Sequence, residues 1–532
     1  MLYRIPPLRL RQIAFCAVLA IGFMVGLDPL ANYDTWWHLA GGRYIVEQGA
    51  ITHTDPFSFT MNGREWVMHE WGWDLLIFYL YAWFGPLGVI LLRACVSALI
   101  FLALYYLALR RGASAFIALL VTLLATQAIG IWINERPQVL QPLFILCALH
   151  LMHSYRQGKR RAMLWYPVLM VVWVNTHGSF PFGLVLLALF VGCELLRVQK
   201  FGLRRALPLL VSRPSVFLFA IILLAAIACF LGPNGARGAM YPLDYVNGKL
   251  AWATEAVAEW KSPDWHHSYM RPIELTILFT FLALALSPMS PAPFDLLSVL
   301  MGVHMLLQWG RNGPLFATLA SPVLAVHLSS WTDTVFLGGR SLERELDERG
   351  GHRELPMRVA SWVVLLALAA LVLMRVPSNG QMNRLIKLDQ YPVKAAEVVA
   401  LNNVKGRMWN VYHWGGYLVW RFYKERPVFI DGRADVYGKA IWDDYQKISQ
   451  GGSGWREMLD RWDIQYLLID SSYGMCRTLD LSRDFVKIYS DSRASVYVRD
   501  SKVNADVLAR YRARKLIVPK ANLPDLNAFL YR

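Results

Sequence analysis

Long apolar runs alternate with short polar loops over the first 375 residues, after which the chain becomes an ordinary polar sequence. Runs long enough for membrane helices cover roughly 12–31, 88–109, 114–132, 136–154, 162–176, 179–197, 214–232, 272–288, 294–310, 314–331 and 359–375. Residues 70–84 are apolar as well, but the run is short and Gly85-Pro86 ends it. Counted as a span it makes twelve crossings; as an interfacial helix it leaves eleven.

Charge decides between the two. With eleven spans and a cytoplasmic N-terminus, the basic loops Arg110-Arg111, Arg156 to Arg161, Arg197 to Arg213 and Arg340 to Arg358 all fall inside. With twelve they would all lie outside. An alternative in which 70–110 crosses three times stays open. Arg4, Arg9 and Arg11 precede an apolar run from Ile13 to Ala31 that no small-residue cleavage site follows, which reads as an uncleaved anchor. Eleven spans place every polar, motif-like loop on the outer side: 32–70, Asn134-Glu135-Arg136-Pro137, Asn175-Thr176-His177-Gly178, 232–271 and Gln308-Trp309-Gly310-Arg311-Asn312. The expected organisation is a polytopic α-helical membrane domain over 1–375 and an exterior α/β domain over 376–532. The expected location is a bacterial inner (plasma) membrane, with that second domain in the periplasm or outside the cell.

In the C-terminal region, Pro427-Val428-Phe429-Ile430, Gln465 to Ile469 and Ala494 to Val498 read as strands. Helical stretches near 392–402, 415–424, 437–448 and 454–463 alternate with them, which makes a small α/β domain.

Composition agrees with this division. The chain of 532 residues is 56% hydrophobic and 17% charged, with mean hydropathy +0.34; soluble domains carry about 25% charge. The net charge of +16 sits in short loops, where Lys and Arg set topology and meet anionic membrane lipids. No basic face with groove-reading or stacking geometry appears, so nucleic acid is excluded as a partner. Five of the six cysteines lie in apolar segments and Cys476 is alone in the polar region, so no disulfide is expected there.

The first loop concentrates the chemistry. Asp34 opens Asp34-Thr35-Trp36-Trp37-His38, and Arg43, His53, Asp55, Arg64, His69 and Glu70 follow. A carboxylate at a membrane edge must be paired, solvated or used. As a structural residue Asp34 would be a helix N-cap, and Asp55-Pro56 a turn. His38, His53 and His69 lack the spacing of a zinc helix, so no metal site is assigned. Trp66, Trp71 and Trp73 fit an interface belt. Arg136, His177 and Arg311 lie at expected outer span ends: each could snorkel alone, and together they could hold a membrane-anchored phosphate. Glu259, in the longest outer loop, is either a solvated turn residue or a substrate contact. Asp431, Arg433 and Asp435 follow the expected strand 427–430, at a strand end where open sheets bind ligands; docking onto the membrane domain is the other reading.

Asp34, Arg43-Tyr44, Asn62-Gly63, Trp66 and His69-Glu70-Trp71 resemble the first loop of the GT-C superfamily of membrane glycosyltransferases, especially the protein-mannosyltransferase and aminoarabinose-transferase type. Those enzymes place an acid just after the first span, at the start of a juxtamembrane helix. The likeness covers about residues 12–110 and is architectural beyond, and the family's Asp-Glu pair is Asp34-Thr35 here. The resemblance implies sugar transfer from a polyprenyl-phosphate-linked donor to a glycan, lipid or protein acceptor on the outer side. In that scheme Asp34 is the general base of an inverting reaction and Glu70 orients the acceptor. Arg136, His177 and Arg311 hold the donor phosphate, with His38, Arg43, Asp55, His69 and Glu259 as further substrate contacts. Dependence on a divalent metal (Mg or Mn) is left open. A flippase would need charged residues lining the spans; a glycan polymerase is a close enzymatic neighbour. An exterior assembly scaffold acting through the C-terminal domain would survive mutation of the first loop.

Overall fold

A computed structural model describes residues 10–198, 213–248, 250–337, 355–377 and 385–519. Arg4, Arg9 and most of the basic stretches 197–213 and 340–358 lie outside the described residues. The contacts divide the chain into two compact units. One comprises Met1–Asp28, Ile90–Pro242 and Thr254–Ser378; the other comprises Pro29–Val89, Leu243–Ala253 and Asn379–Arg532.

The first unit is helical. All eleven expected spans fall on helices: Leu10–Val25, Pro86–Arg110, Ala115–Gly130, Leu140–Arg156, Trp165–Val174, Phe180–Val198, Arg213–Ala228, Arg271–Leu286, Pro293–Gln308, Gly313–Leu337 and Leu355–Arg375. Among the described residues three stretches, Pro86–Arg110, Ser268–Leu286 and Gly310–Phe336, are long and apolar enough to cross a bilayer unaided, and six further apolar helices are shorter. Trp165–Val174 has ten residues, about 15 Å at ~1.5 Å per residue, half of a ~30 Å hydrocarbon layer. Leucines such as Leu223, Leu278 and Leu366 are exposed, whereas Ala118, Ala125, Ala317, Ala320, Thr276 and Ser321 are buried. That inversion, large apolar groups outside and small residues between helices, suits packing in lipid. Some buried hydroxyls are satisfied within their own helices: Thr276 donates to Pro272 O at 2.7 Å and Ser321 to Ala317 O at 2.7 Å. Arg93, inside Pro86–Arg110, pairs with Glu135 at 2.6 Å and donates from Nε to Gly26 O at 2.9 Å. This buried charge inside a span went unnoticed in the hydropathy pattern.

The second unit joins the first loop to the C-terminal domain. Helices Thr35–Gln48 and Trp71–Phe84 pack on one another. A Cβ at Gly42 would lie 2.2 Å from Asp74 O, so the approach depends on Gly41-Gly42 lacking side chains. The ambiguous apolar segment 70–84 is therefore the partner of the first-loop helix.

The C-terminal sheet contains β1 (Arg407–Asn410), β2 (Ile464–Asp470), β3 (Phe485–Ser490) and β4 (Ala494–Arg499), in the order β1-β2-β4-β3. β1 and β2 are parallel; β2 with β4 and β4 with β3 are antiparallel. The four expected helices appear as Val393–Leu401, Gly415–Phe422, Lys439–Gln450 and Trp455–Arg461. The expected strand 427–430 is a correction, because it joins no sheet. Instead Val428 bridges Ser58: Val428 N donates to Phe57 O and Phe59 N donates to Val428 O, both at 3.1 Å. Asn410 Oδ1 accepts from Phe429 N at 2.8 Å. The run is apolar because it lies buried on the first loop.

The same segment ends in Asp431-Gly432-Arg433, where the loop and the domain are tied together. Arg433 is 1% exposed. Its Nε and Nη2 donate to the two oxygens of Asp431 at 2.9 and 2.6 Å, and Nη1 lies 2.8 Å from Asp55 Oδ1. Tyr437 OH donates to Asp431 at 2.9 Å, and Phe57 N, Ser58 N and Ser58 Oγ donate to Asp55. The guanidinium stacks over Trp66 at 4.6 Å and Phe57 at 5.1 Å. Asp55, expected as a turn residue or a substrate contact, and Asp431 and Arg433, expected in ligand binding or in docking, are thus buried on one another and tie the loop to the domain.

Replacing Arg433 with Met leaves two buried carboxylates without a cation. It is expected to cost about 3–5 kcal/mol, read as a lowered thermal midpoint of the purified protein. Lys439→Ala, at an exposed pair with Asp443, should shift stability by no more than about 0.5 kcal/mol. Equal midpoints for the two variants would show that the lock carries no stability.

Candidate functional site

Asp34 stands where an N-cap belongs, directly before Thr35–Gln48, but its backbone is helical (φ −78, ψ −21) and its side chain makes no cap hydrogen bond. Its amide is held by Asn32 Oδ1 at 2.9 Å. The half-buried carboxylate lies against the Asp431-Gly432-Arg433 turn, since a Cβ on Gly432 would be 2.1 Å from Asp34 Oδ1 and 3.3 Å from Trp37 Nε1. Gly416 makes a comparable approach, its Cβ direction meeting Tyr33 O at 2.7 Å. The Trp-Gly-Gly-Tyr run therefore allows helix Gly415–Phe422 to pack on the start of the first-loop helix. Thr35 is 0% exposed, and its hydroxyl has no hydrogen-bond partner among the described residues. A carboxylate there would be buried at high cost.

One turn on, His38 is 1% exposed and stacked on Trp37, with ring centroids 3.6 Å apart. Its Nδ1 is hydrogen-bonded to Asp74 Oδ1 at 2.5 Å, and its Nε2 faces Glu70 Oε2 at 4.0 Å. Asp74 is fully buried; burial, and then the Glu70 charge, push its carboxyl well above the ordinary range, with Arg433 opposing. His69 approaches the other Glu70 oxygen at 3.7 Å and meets Val67 O through Nδ1 at 3.1 Å. The structure thus brings His38, His69 and Glu70 together around Asp74. Sequence reasoning missed Asp74, although an acid four residues after Glu70 in an apolar helix was a signal. No cluster of three or more His, Cys, Asp or Glu with metal-holding geometry occurs among the described residues.

Arg43 is turned elsewhere: its Nε donates to Glu47 Oε1 at 2.7 Å and its guanidinium covers the Tyr423 ring at 4.2 Å. Asp435 is a half-buried turn residue.

In the helical unit, Arg136 and Arg311 converge on Glu259, at 3.3 and 3.7 Å. Arg311 also lies 4.2 Å over the Trp260 ring. Burial raises the Glu259 carboxyl, but the two guanidiniums outweigh it and hold it below the ordinary range. Two guanidiniums thus share one carboxylate. His177 is held by its own turn: Nδ1 meets Ser179 Oγ at 2.7 Å, and that oxygen accepts from Trp173 Nε1 at 2.9 Å.

No protein-family model matches the chain, and no curated protein matches it in sequence. Solved structures do. The Archaeoglobus fulgidus oligosaccharyltransferase, tethered to an acceptor peptide containing the NVT sequon, aligns with TM-score 0.55 at 11% identity, over 92% of this chain and 74% of that one. The A. fulgidus oligosaccharyltransferase AglB, in complex with an inhibitory peptide and a dolichol-phosphate, aligns with TM-score 0.51 at 12% identity, over 86% and 69%. ArnT from Cupriavidus metallidurans, bound to undecaprenyl phosphate, aligns with TM-score 0.49 at 14% identity, over 92% and 98%. The fold of this chain is therefore similar to that of the oligosaccharyltransferase over most of its length.

Proposed function

We propose that the protein transfers a sugar from a polyprenyl-phosphate-linked donor to an acceptor on the outer side of the membrane, with inversion. The observation that carries this reading is Asp34: a carboxylate at a helix start that makes no cap bond and rests on a glycine turn. Asp34 takes the acceptor hydroxyl proton as that oxygen bonds to the anomeric carbon. The bond from anomeric carbon to phosphate oxygen breaks with its electron pair, and the lipid phosphate leaves. Charge developing on that phosphate needs preorganised cations; our candidates are Arg136 and Arg311, which share Glu259 within the helical unit. The fold neighbour AglB was solved with a dolichol-phosphate, a ligand of the same chemical class as the proposed donor. Glu70 orients the acceptor, and the His38–Asp74 pair holds Glu70 in place.

Asp34→Asn should slow release of undecaprenyl phosphate from undecaprenyl-phosphate-linked sugars by about 10²–10⁴-fold, with elution volume and thermal midpoint unchanged. A rate near that of the unmodified protein would remove Asp34 from the mechanism.

Gly432→Ala separates position from charge. Its methyl would meet the movable Asp34 carboxylate and the Trp37 ring edge. Transfer should fall at least tenfold while the midpoint hardly moves; an unchanged rate would mean that the placement of the carboxylate is irrelevant.

For the phosphate site, the double change Arg136→Gln with Arg311→Gln should lower kcat by about 10²–10³. Glu259→Gln removes the competing anion and should tighten binding of undecaprenyl phosphate. Weaker binding in Glu259→Gln would place the phosphate elsewhere.

A further inference from the structure

The carboxyl ends of the parallel strands β1 and β2 lie side by side, with Asn410 in register with Leu468 and Asp470 closing β2. Polar residues leave both ends: Tyr412-His413 after β1, and Ser471-Ser472-Tyr473 after β2. Paired parallel strands present ligand sites at these ends.

Tyr33, from the first loop, lies over the cluster. Its ring is 4.8 Å from His413 and 5.6 Å from Tyr391. Asp470 Oδ1 accepts from Ser472 N and Oγ at 2.9 and 2.6 Å. Asp470 Oδ2 stands 3.7 Å from Arg493 Nη1, beyond hydrogen-bond length. Arg493 is anchored by its Nε to Asp389 O at 2.7 Å, and its side chain is 39% exposed. Tyr33, His413 and Tyr473 are each half-buried. Burial lowers the His413 pKa to about 4, with Asp470 opposing and Arg493 assisting. At neutral pH the imidazole is an uncharged donor and acceptor.

The cluster therefore offers aromatic faces, a neutral imidazole, one carboxylate and one guanidinium. Asp389 and Asp470 would repel a phosphate. A neutral hydroxylated ring suits the set: its C–H face stacks on Tyr33 or His413, while Asp470 accepts from neighbouring hydroxyls and Arg493 donates to ring or hydroxyl oxygens. Tyr33 directly precedes Asp34, so a sugar on its ring is held one residue from the proposed base.

We propose that Tyr33, His413, Asp470, Tyr473 and Arg493 form a glycan-binding site that receives the acceptor, making the acceptor a carbohydrate. The binding stands on this cluster alone; its role as acceptor site rests on the transferase reading. The test uses the full chain in lipid nanodiscs, probed by saturation-transfer NMR with methyl glycosides of glucose, galactose, mannose, rhamnose and N-acetylglucosamine, and with an NVT-containing peptide. At least one glycoside should give a saturable signal that weakens at least tenfold in Tyr33→Ala and in Asp470→Asn. That signal should persist in Asp34→Asn. Arg493→Gln, at a more exposed position, replaces Asp470→Asn if the latter misfolds. Absence of any saturable glycoside signal, a signal indifferent to these changes, or saturable binding of the peptide alone overturns the proposal. Glycoside binding at this site together with full transfer by Asp34→Asn would sink the base and leave the site standing.

Discussion

The lock of Arg433 between Asp55 and Asp431 governs the second unit. Moving a guanidinium out of water costs several kcal/mol, which is recovered only when charge and geometry are both complete. Here two carboxylates flank it and two aromatic rings cap its faces, while a phenol, a serine and backbone amides hold the carboxylates in turn. The two acids come from opposite ends of the sequence. The arginine can therefore be buried only if the first loop and the C-terminal domain fold as one body. Removing the domain to ask whether the loop works alone would unfold the loop, so the scaffold alternative is better separated by point changes than by truncation.

The membrane-type helices were legible because apolar length is a local property, and every expected span falls on a helix. What failed was local information standing in for tertiary information. Pro427–Ile430 has the composition of a strand yet pairs with loop residues Ser58 and Phe59. Conversely, β1 and β3 carry charged residues in half-polar runs and take their pairing from neighbours. Arg93 and Asp74 escaped for a related reason: a single charge in an apolar run is hidden by averaging, and only the partner, Glu135 or His38, explains it.

In the candidate site the individual residue types were readable and the groupings were not. His38, His69 and Glu70 cluster as their proximity in sequence suggested, but the residue that organises them is the unflagged Asp74. Asp55 was read as a turn residue or a substrate contact and Arg433 as a ligand or docking residue, and their pairing with each other was not foreseen. Arg136, Arg311 and Glu259 were each plausible alone; the structure groups the three, with both arginines on one carboxylate.

The Asp431-Gly432-Arg433 turn shows why three adjacent residues can be one device. Asp431 fixes the guanidinium, Arg433 reaches Asp55 to secure the loop, and Gly432 between them leaves room for the Asp34 carboxylate. Any side chain at 432 would occupy the volume where that oxygen rests. The turn divides the work between neighbours: the buried arginine is set between Asp55 and Asp431, and the glycine beside it leaves the space that the Asp34 carboxylate occupies.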